Sequence, residues 1–218
     1  MILQERDQII LQNADRYGII TIDLARSWVG GSYRVIARRL QALTDYGYLT
    51  RYETPNGVIA YGTFKAPKKR TPQIGHRLLV AIFRIHLERH IEVANQRTEA
   101  EMRHDQSPLV PDWYFEFGGV QYFLEADTGT EDHKRIIEKI EAYKTQHHRL
   151  KENAKLLGDP APMMRVLFFM TSRVRSEHLR ALAVSPMFWF ATLENFCAQP
   201  LGNVWFIPTD NQPRSLHL

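Results

Sequence analysis

The first third of the chain alternates short amphipathic runs with small-residue breaks. Ile2, Leu3, Ile9, Ile10 and Ala14 fall roughly on one helical stripe, which predicts a helix from Ile2 to Tyr17, stopped at Gly18. Thr21 is placed to cap a short second helix ending at Trp28, and Gly30-Gly31 marks a turn. Ser32 then caps a third helix, Tyr33 to Tyr46, ended by Gly47. Within it Ile36, Leu40 and Leu43 must face a core, while Arg34, Arg38 and Gln41 repeat the same spacing on another face, with Arg39 beside them. Two strand-like runs, Tyr48–Thr54 and Val58–Phe64, flank Pro55-Asn56-Gly57, a strong hairpin signal.

Three helices with a glycine turn before the third, followed by a hairpin, is the element order of a winged helix-turn-helix, expected over residues 1–66. In that arrangement the capped start of the third helix presents Ser32, Tyr33, Arg34 and Arg38 to a major groove, with Arg39 alongside. Arginine there can bond bidentately to guanine or to phosphate. Arg51 and Asn56 of the hairpin would lie along the backbone or minor groove. The bland alternative is an arginine-rich face that merely solvates a protein–protein module.

The pattern changes after residue 75. His76 to Ala94 reads as a helix. Trp113–Phe117 and Val120–Ala126 read as strands joined at Gly118-Gly119. A long helix is expected from Glu131 to about Lys155, with Ile136, Ile140 and Tyr143 packed on a sheet. Met164–Met170 is nearly all apolar, as a central strand covered on both faces should be. Ser176 is read as the cap of a further helix, and Val204–Ile207 as a last strand. The order is α-β-β-α-β-α-β, a central mixed sheet with helices. The fold class expected for the whole is α+β in two domains, 1–66 and 76–218, joined by a basic linker at 67–75.

Charge sharpens this division. Of 28 Lys/Arg and 24 Asp/Glu in 218 residues, 11 and 6 fall at or before Gln73, leaving 17 and 18 beyond it. The balance is therefore +5 in the first part and −1 in the rest, which points the small module at a polyanion. The linker adds Lys68, Lys69 and Arg70 between Pro67 and Pro72, where they can touch phosphates. No run of 18 apolar residues exists, so no membrane span is expected. The start, MILQERDQII, carries acids where a signal peptide would be basic and then apolar, and the one cysteine, Cys197, forms no disulfide framework. A cytoplasmic place is expected.

The candidate chemistry lies in Leu109–Asp127, LVPDWYFEFGGVQYFLEAD. In a hairpin the start of one strand lies beside the end of the next, so Asp112 and Glu125 should meet. Asp127, two residues on, should share Glu125's face. Three acids together need a positive partner, and oxygen ligands suit Mg²⁺ or Mn²⁺. Lys139, two turns into the following helix, is within reach. His86 and His90 are spaced i, i+4 but lack the zinc-protease order, and read as histidines near an interdomain surface. Met187-Phe188-Trp189-Phe190 reads as core.

Pro111-Asp112 followed by Glu125-x-Asp127 resembles the restriction-endonuclease-like, PD-(D/E)XK nuclease superfamily. The whole chain, through about residue 210, is more closely similar to the replication-relaxation family of plasmids and integrative conjugative elements. That resemblance rests on the winged helix, the helix led by His76, Pro111-Asp112, the run LEADTGTE at Leu124–Glu131, and Lys139 with Tyr143. It implies a restriction-endonuclease-like second domain and action on duplex DNA near an origin of replication or transfer, with a relaxase or another replication protein as partner. The nuclease motif wants a lysine where this chain has Asp127. If the domain is active, the resemblance implies Asp112, Glu125 and a migrated Lys139 as catalytic residues. Asp112, Glu125 and Asp127 would then hold Mg²⁺ or Mn²⁺, and Glu99 or Glu101 could add a ligand.

Three functions compete at this level. The first is a DNA-binding accessory protein of element replication or conjugation, with no cofactor. The second is a metal-dependent nickase or nuclease. The third is a transcriptional repressor whose larger domain serves sensing or dimerisation. The sequence leaves open whether the protein is a homodimer.

Overall fold

The computed structural model describes residues 2–63 and 71–216. The chain divides into two compact units, Met1–Ile85 and His86–Leu218. The basic stretch with Lys68, Lys69 and Arg70 lies outside the described residues.

In the first unit, helix α1 (Glu5–Tyr17) leads into a short strand β1 (Ile19–Thr21), helix α2 (Ile22–Val29) and helix α3 (Tyr33–Asp45). Strands β2 (Thr50–Glu53) and β3 (Ile59–Gly62) follow as an antiparallel hairpin. β1 pairs on the far side of β3, giving the order β1-β3-β2. The predicted caps act: Thr21 Oγ1 accepts from the Leu24 N–H and Ser32 Oγ from the Val35 N–H. Ile10, Ala14, Ile36, Leu40 and Leu43 form the core among the helices. β1 carries no sequence signal, because three residues leading straight into a helix show no alternation. Helix α4 (Thr71–Glu88) begins in this unit, where Ile74, Leu78, Ala81 and Ile85 pack with Ile19, Leu24 and Ala60.

The second unit is a mixed sheet ordered β10-β9-β8-β7-β6-β5-β4. Its strands are β4 (Ala94–Thr98), β5 (Trp113–Phe117), β6 (Val120–Asp127), β7 (Met163–Met170), β8 (Phe188–Thr192), β9 (Trp205–Ile207) and β10 (Asp210–Arg214). The helices are α5 (Glu99–His104), α6 (His133–Leu157), α7 (Arg173–Leu182) and α8 (Leu193–Ala198). β6, β7 and β8 run parallel, and the outer pairs are antiparallel. Parallel neighbours need crossovers, which α6 and α7 supply. β5 and β6 turn at Gly118 and Gly119, with φ of 58° and 75°, a tight turn that glycine enters without steric cost.

One sheet face carries Phe123, Val166, Phe168, Phe188 and Phe190, and packs against Ile136, Ile140 and Tyr143 of α6 and Leu179 of α7. The other carries stacked rings: Trp113 on Phe115 at 4.4 Å and Phe115 on Tyr122 at 4.9 Å between centroids. Both rims are irregular. β4 slips register between Ala94 and Arg97, and β10 between Asp210 and Pro213.

Several boundaries differ from expectation. The helix expected over His76–Ala94 ends at Glu88, and Ala94 opens a strand. Ser176 caps nothing: it is buried inside α7, and Ser172 caps that helix by accepting from the Arg175 N–H. Met187–Phe190 is core, as read, and most of it belongs to β8. Among the described residues no helix is long and apolar enough to cross a membrane.

Candidate functional site

Two groups of side chains stand out, one in each unit. In the first, Ser32, Tyr33, Arg34 and Arg38 are all exposed along the start of α3, Tyr33 by 51%. The hairpin carries exposed Arg51 and exposed Asn56. Arg51 faces Tyr61 across the strand pair; burial raises the Tyr61 pKa and the Arg51 charge works against that rise. The turn closes through Thr54, whose N–H donates to the Val58 carbonyl at 2.9 Å and whose Oγ1 accepts from the Val58 N–H at 3.0 Å. Gln41 donates to Asp45 at 2.7 Å, so it braces its own helix.

Arg39 is a different case from its neighbours. Its guanidinium grips both carboxylate oxygens of Asp7, which is fully buried on α1. Asp7 also accepts from the Gln4 N–H at 2.6 Å, closing the start of α1. The Arg39 hydrogen bond, against the opposing effect of burial, holds the Asp7 carboxyl below its usual range. Arg39, expected beside the DNA-facing residues, is thus committed to joining α3 to α1. No local pattern could signal this, because its partner lies 32 positions away.

In the second unit, the start of β5 and the end of β6 meet as the hairpin requires. The Asp112 N–H donates to the Leu124 carbonyl at 3.0 Å, and Asp112 Oδ2 accepts from the Ala126 N–H at 2.7 Å. Asp112 therefore brackets Glu125 from both sides. Glu125 is 4% exposed, and its two oxygens accept from Lys139 Nζ at 2.9 Å and Tyr143 Oη at 2.5 Å. Lys139 also donates to Glu131 at 3.0 Å. One helical turn separates Lys139 from Tyr143, so α6 presents both donors to one carboxylate.

Asp127 lies on Glu125's side of the sheet but has other partners. Arg175 of α7 pairs with its Oδ2 and also donates to the Glu131 carbonyl, while Asp127 Oδ1 accepts from the Gly129 N–H at 2.7 Å. Glu99 and Glu101 are engaged within α5. Glu99 accepts from Arg103, and Glu101 closes the capping box with Thr98.

Burial, followed by the Asp112 charge, pushes the Glu125 carboxyl up to about 7; Lys139 and Tyr143 pull the other way. Burial works to lower the Lys139 pKa, but the charges of Glu125 and Asp112 prevail and raise it. Burial thus favours the neutral carboxyl at Glu125, while the acids around Lys139 favour its charged ammonium.

Does this donor set fit a divalent cation? Mg²⁺ asks for near-octahedral oxygen ligands. Among the described residues no three His, Cys, Asp or Glu side chains gather to hold a metal. Both Glu125 oxygens, both Asp127 oxygens and Asp112 Oδ2 already accept from protein donors. The arrangement as it stands does not fit the ion.

Residues 60–157 match the sequence profile described as replication-relaxation. Over this stretch the chain is similar to the replication-relaxation family. The family segment runs from β3 through α6 and takes in Asp112, Glu125, Glu131, Lys139 and Tyr143. Arg175, which pairs with Asp127, lies beyond it. No curated protein and no solved structure matches the chain. His86, the other candidate raised by spacing, packs edge-on against Phe196, and burial lowers its pKa.

Proposed function

We propose that this protein is a DNA-binding accessory factor in the replication or transfer of a plasmid or conjugative element. Its first unit acts as a winged helix-turn-helix that reads duplex DNA at an origin, and a relaxase or another replication protein is its partner. The observation that carries this reading is the exposed row Ser32, Tyr33, Arg34 and Arg38 at the capped start of α3. Supporting it are the hairpin carrying Arg51 and Asn56, and the charge of +5 at or before Gln73, from 11 basic and 6 acidic residues. Phosphate-directed arginines set register on the duplex, and those at base edges confer sequence preference.

Electrophoretic shifts on origin fragments test it. Arg34→Ala with Arg38→Ala should weaken binding and flatten the salt dependence. Unchanged affinity in a folded double variant refutes the assignment of α3.

A second reading, a metal-dependent nickase, takes up the meeting of Asp112, Glu125 and Lys139 but runs against the misfit of this arrangement to a divalent ion. It requires the Glu125 oxygens to exchange Lys139 and Tyr143 for a metal. Incubation of supercoiled plasmid with Mg²⁺ or Mn²⁺ decides it: open-circular product from the wild type and not from Glu125→Gln supports nicking, and no product under either metal removes it.

A further inference from the structure

The mismatch between the acid cluster and a divalent cation has a positive meaning. We infer that Lys139 is the resident counter-cation of Glu125 and Glu131, beside Asp112, occupying with its ammonium the role a metal ion would have, and that this keeps Mg²⁺ and Mn²⁺ out.

Three observations carry it. First, Lys139 Nζ stands 2.9 Å from Glu125 and 3.0 Å from Glu131, so one ammonium bridges acids from the strand and from the loop before α6. Second, the remaining Glu125 oxygen accepts from buried Tyr143 at 2.5 Å, a neutral donor that a metal ligand on that oxygen would displace. Third, Asp127 is neutralised separately by Arg175, so the third acid is not available to the first two. An ammonium and a divalent ion compete for the same oxygens, and here the ammonium is covalently tethered. It is therefore present at high local concentration whatever the metal concentration outside. Lys139 sits one turn from Tyr143 on a helix whose Ile136, Ile140 and Tyr143 are packed on the sheet, so its stem starts from a fixed place. The inference concerns only the second unit and does not depend on the DNA-binding reading.

The test is Mn²⁺ binding by calorimetry on the full chain at pH 8, with a thermal melt in parallel. The wild type should take up no stoichiometric Mn²⁺ and show no metal-dependent melting shift. Lys139→Met should gain a 1:1 site, visible as an upward shift of about 3–5 °C with Mn²⁺ at roughly ten times its dissociation constant. Lys139→Gln keeps a donor to Glu125 without the charge and serves if the methionine variant fails to fold; it should also gain metal. Stoichiometric Mn²⁺ binding by the wild type that disappears in Glu125→Gln overturns the inference. Folded Lys139 variants that remain as metal-free as the wild type overturn it as well.

Discussion

Removing the Asp7 carboxylate should unlock the first unit. Asp7 is fully buried, and the side chain of its partner Arg39 is 16% exposed. Taking one partner from a buried ion pair typically costs about 3–5 kcal/mol, because the other charge is left without compensation. Asp7→Ala also removes the acceptor for the Gln4 N–H, worth a further ~1 kcal/mol at a helix start. Domain stabilities run to about 5–15 kcal/mol, so the loss is a large share of the whole. At about 4–8 °C per kcal/mol for a unit of this size, melting should fall by more than about 10 °C. Native-state hydrogen exchange of the α1 and α3 amides reads this unit separately from the second. A cycle of Asp7→Ala, Arg39→Ala and the double variant isolates the pair, with an expected coupling of about 2 kcal/mol or more. Coupling below ~0.5 kcal/mol would refute the reasoning. The sign with pH is fixed by the depressed Asp7 pKa. Its contribution is present above the ordinary value of 3.8 and fades as pH falls through the lower folded value. Asp7→Asn should therefore remove part of the unit's acid sensitivity.

The same logic separates Arg39 from its neighbours: Arg39→Lys should lower stability yet leave the salt slope of DNA binding unchanged. If α3 faces the duplex as proposed, Arg34→Ala/Arg38→Ala should instead flatten that slope by about 2 in log–log terms, read by fluorescence anisotropy across salt. Tyr143→Phe leaves one buried Glu125 oxygen without its donor and should cost about 1–3 kcal/mol in urea melts. Asp127→Asn should loosen α7, seen as faster hydrogen exchange there than in α6. The raised Glu125 pKa has the opposite sign to Asp7: the folded protein keeps a proton that the unfolded chain releases. Its contribution is full below 4.5 and declines as pH climbs toward about 7. Melting temperature against pH should be flatter over that window in Glu125→Gln, and an unaltered profile would count against the buried environment assigned to Glu125.

Local chemistry was readable wherever it was local. Thr21 and Ser32 declare helix starts, Gly118-Gly119 declares a turn, and the apolar run at Met164–Met170 declares a covered strand. The hairpin alone brought Asp112 to Glu125, and helical spacing put Lys139 and Tyr143 on one side of α6. What escaped was either faceless or distant. β4, with the sequence ANQRT and no buried residue, has no apolar alternation to betray it. Ser176 resembles a cap because serine often is one, but the N–H that needs an acceptor lies beside Ser172. The pairings of Arg39 with Asp7 and of Arg175 with Asp127 span 32 and 48 positions, distances over which no periodicity carries information. Both took charges that the sequence had assigned to ligands.

The two rims of the large sheet differ from its interior in a way that matters for a chain with so many aromatic strands. At one rim Asn95 adopts a φ of 47° within a register slip and exposed Arg97 follows; at the other Pro213 offers no N–H, again beside a slip. Neither border presents the unbroken row of donors and acceptors on which a strand from another molecule could template itself. Exposed sheet edges are where strands of other molecules add on, and these interruptions should keep concentrated protein dispersed. Straightening one of them, for instance with Pro213→Val, is where clumping would be expected to begin.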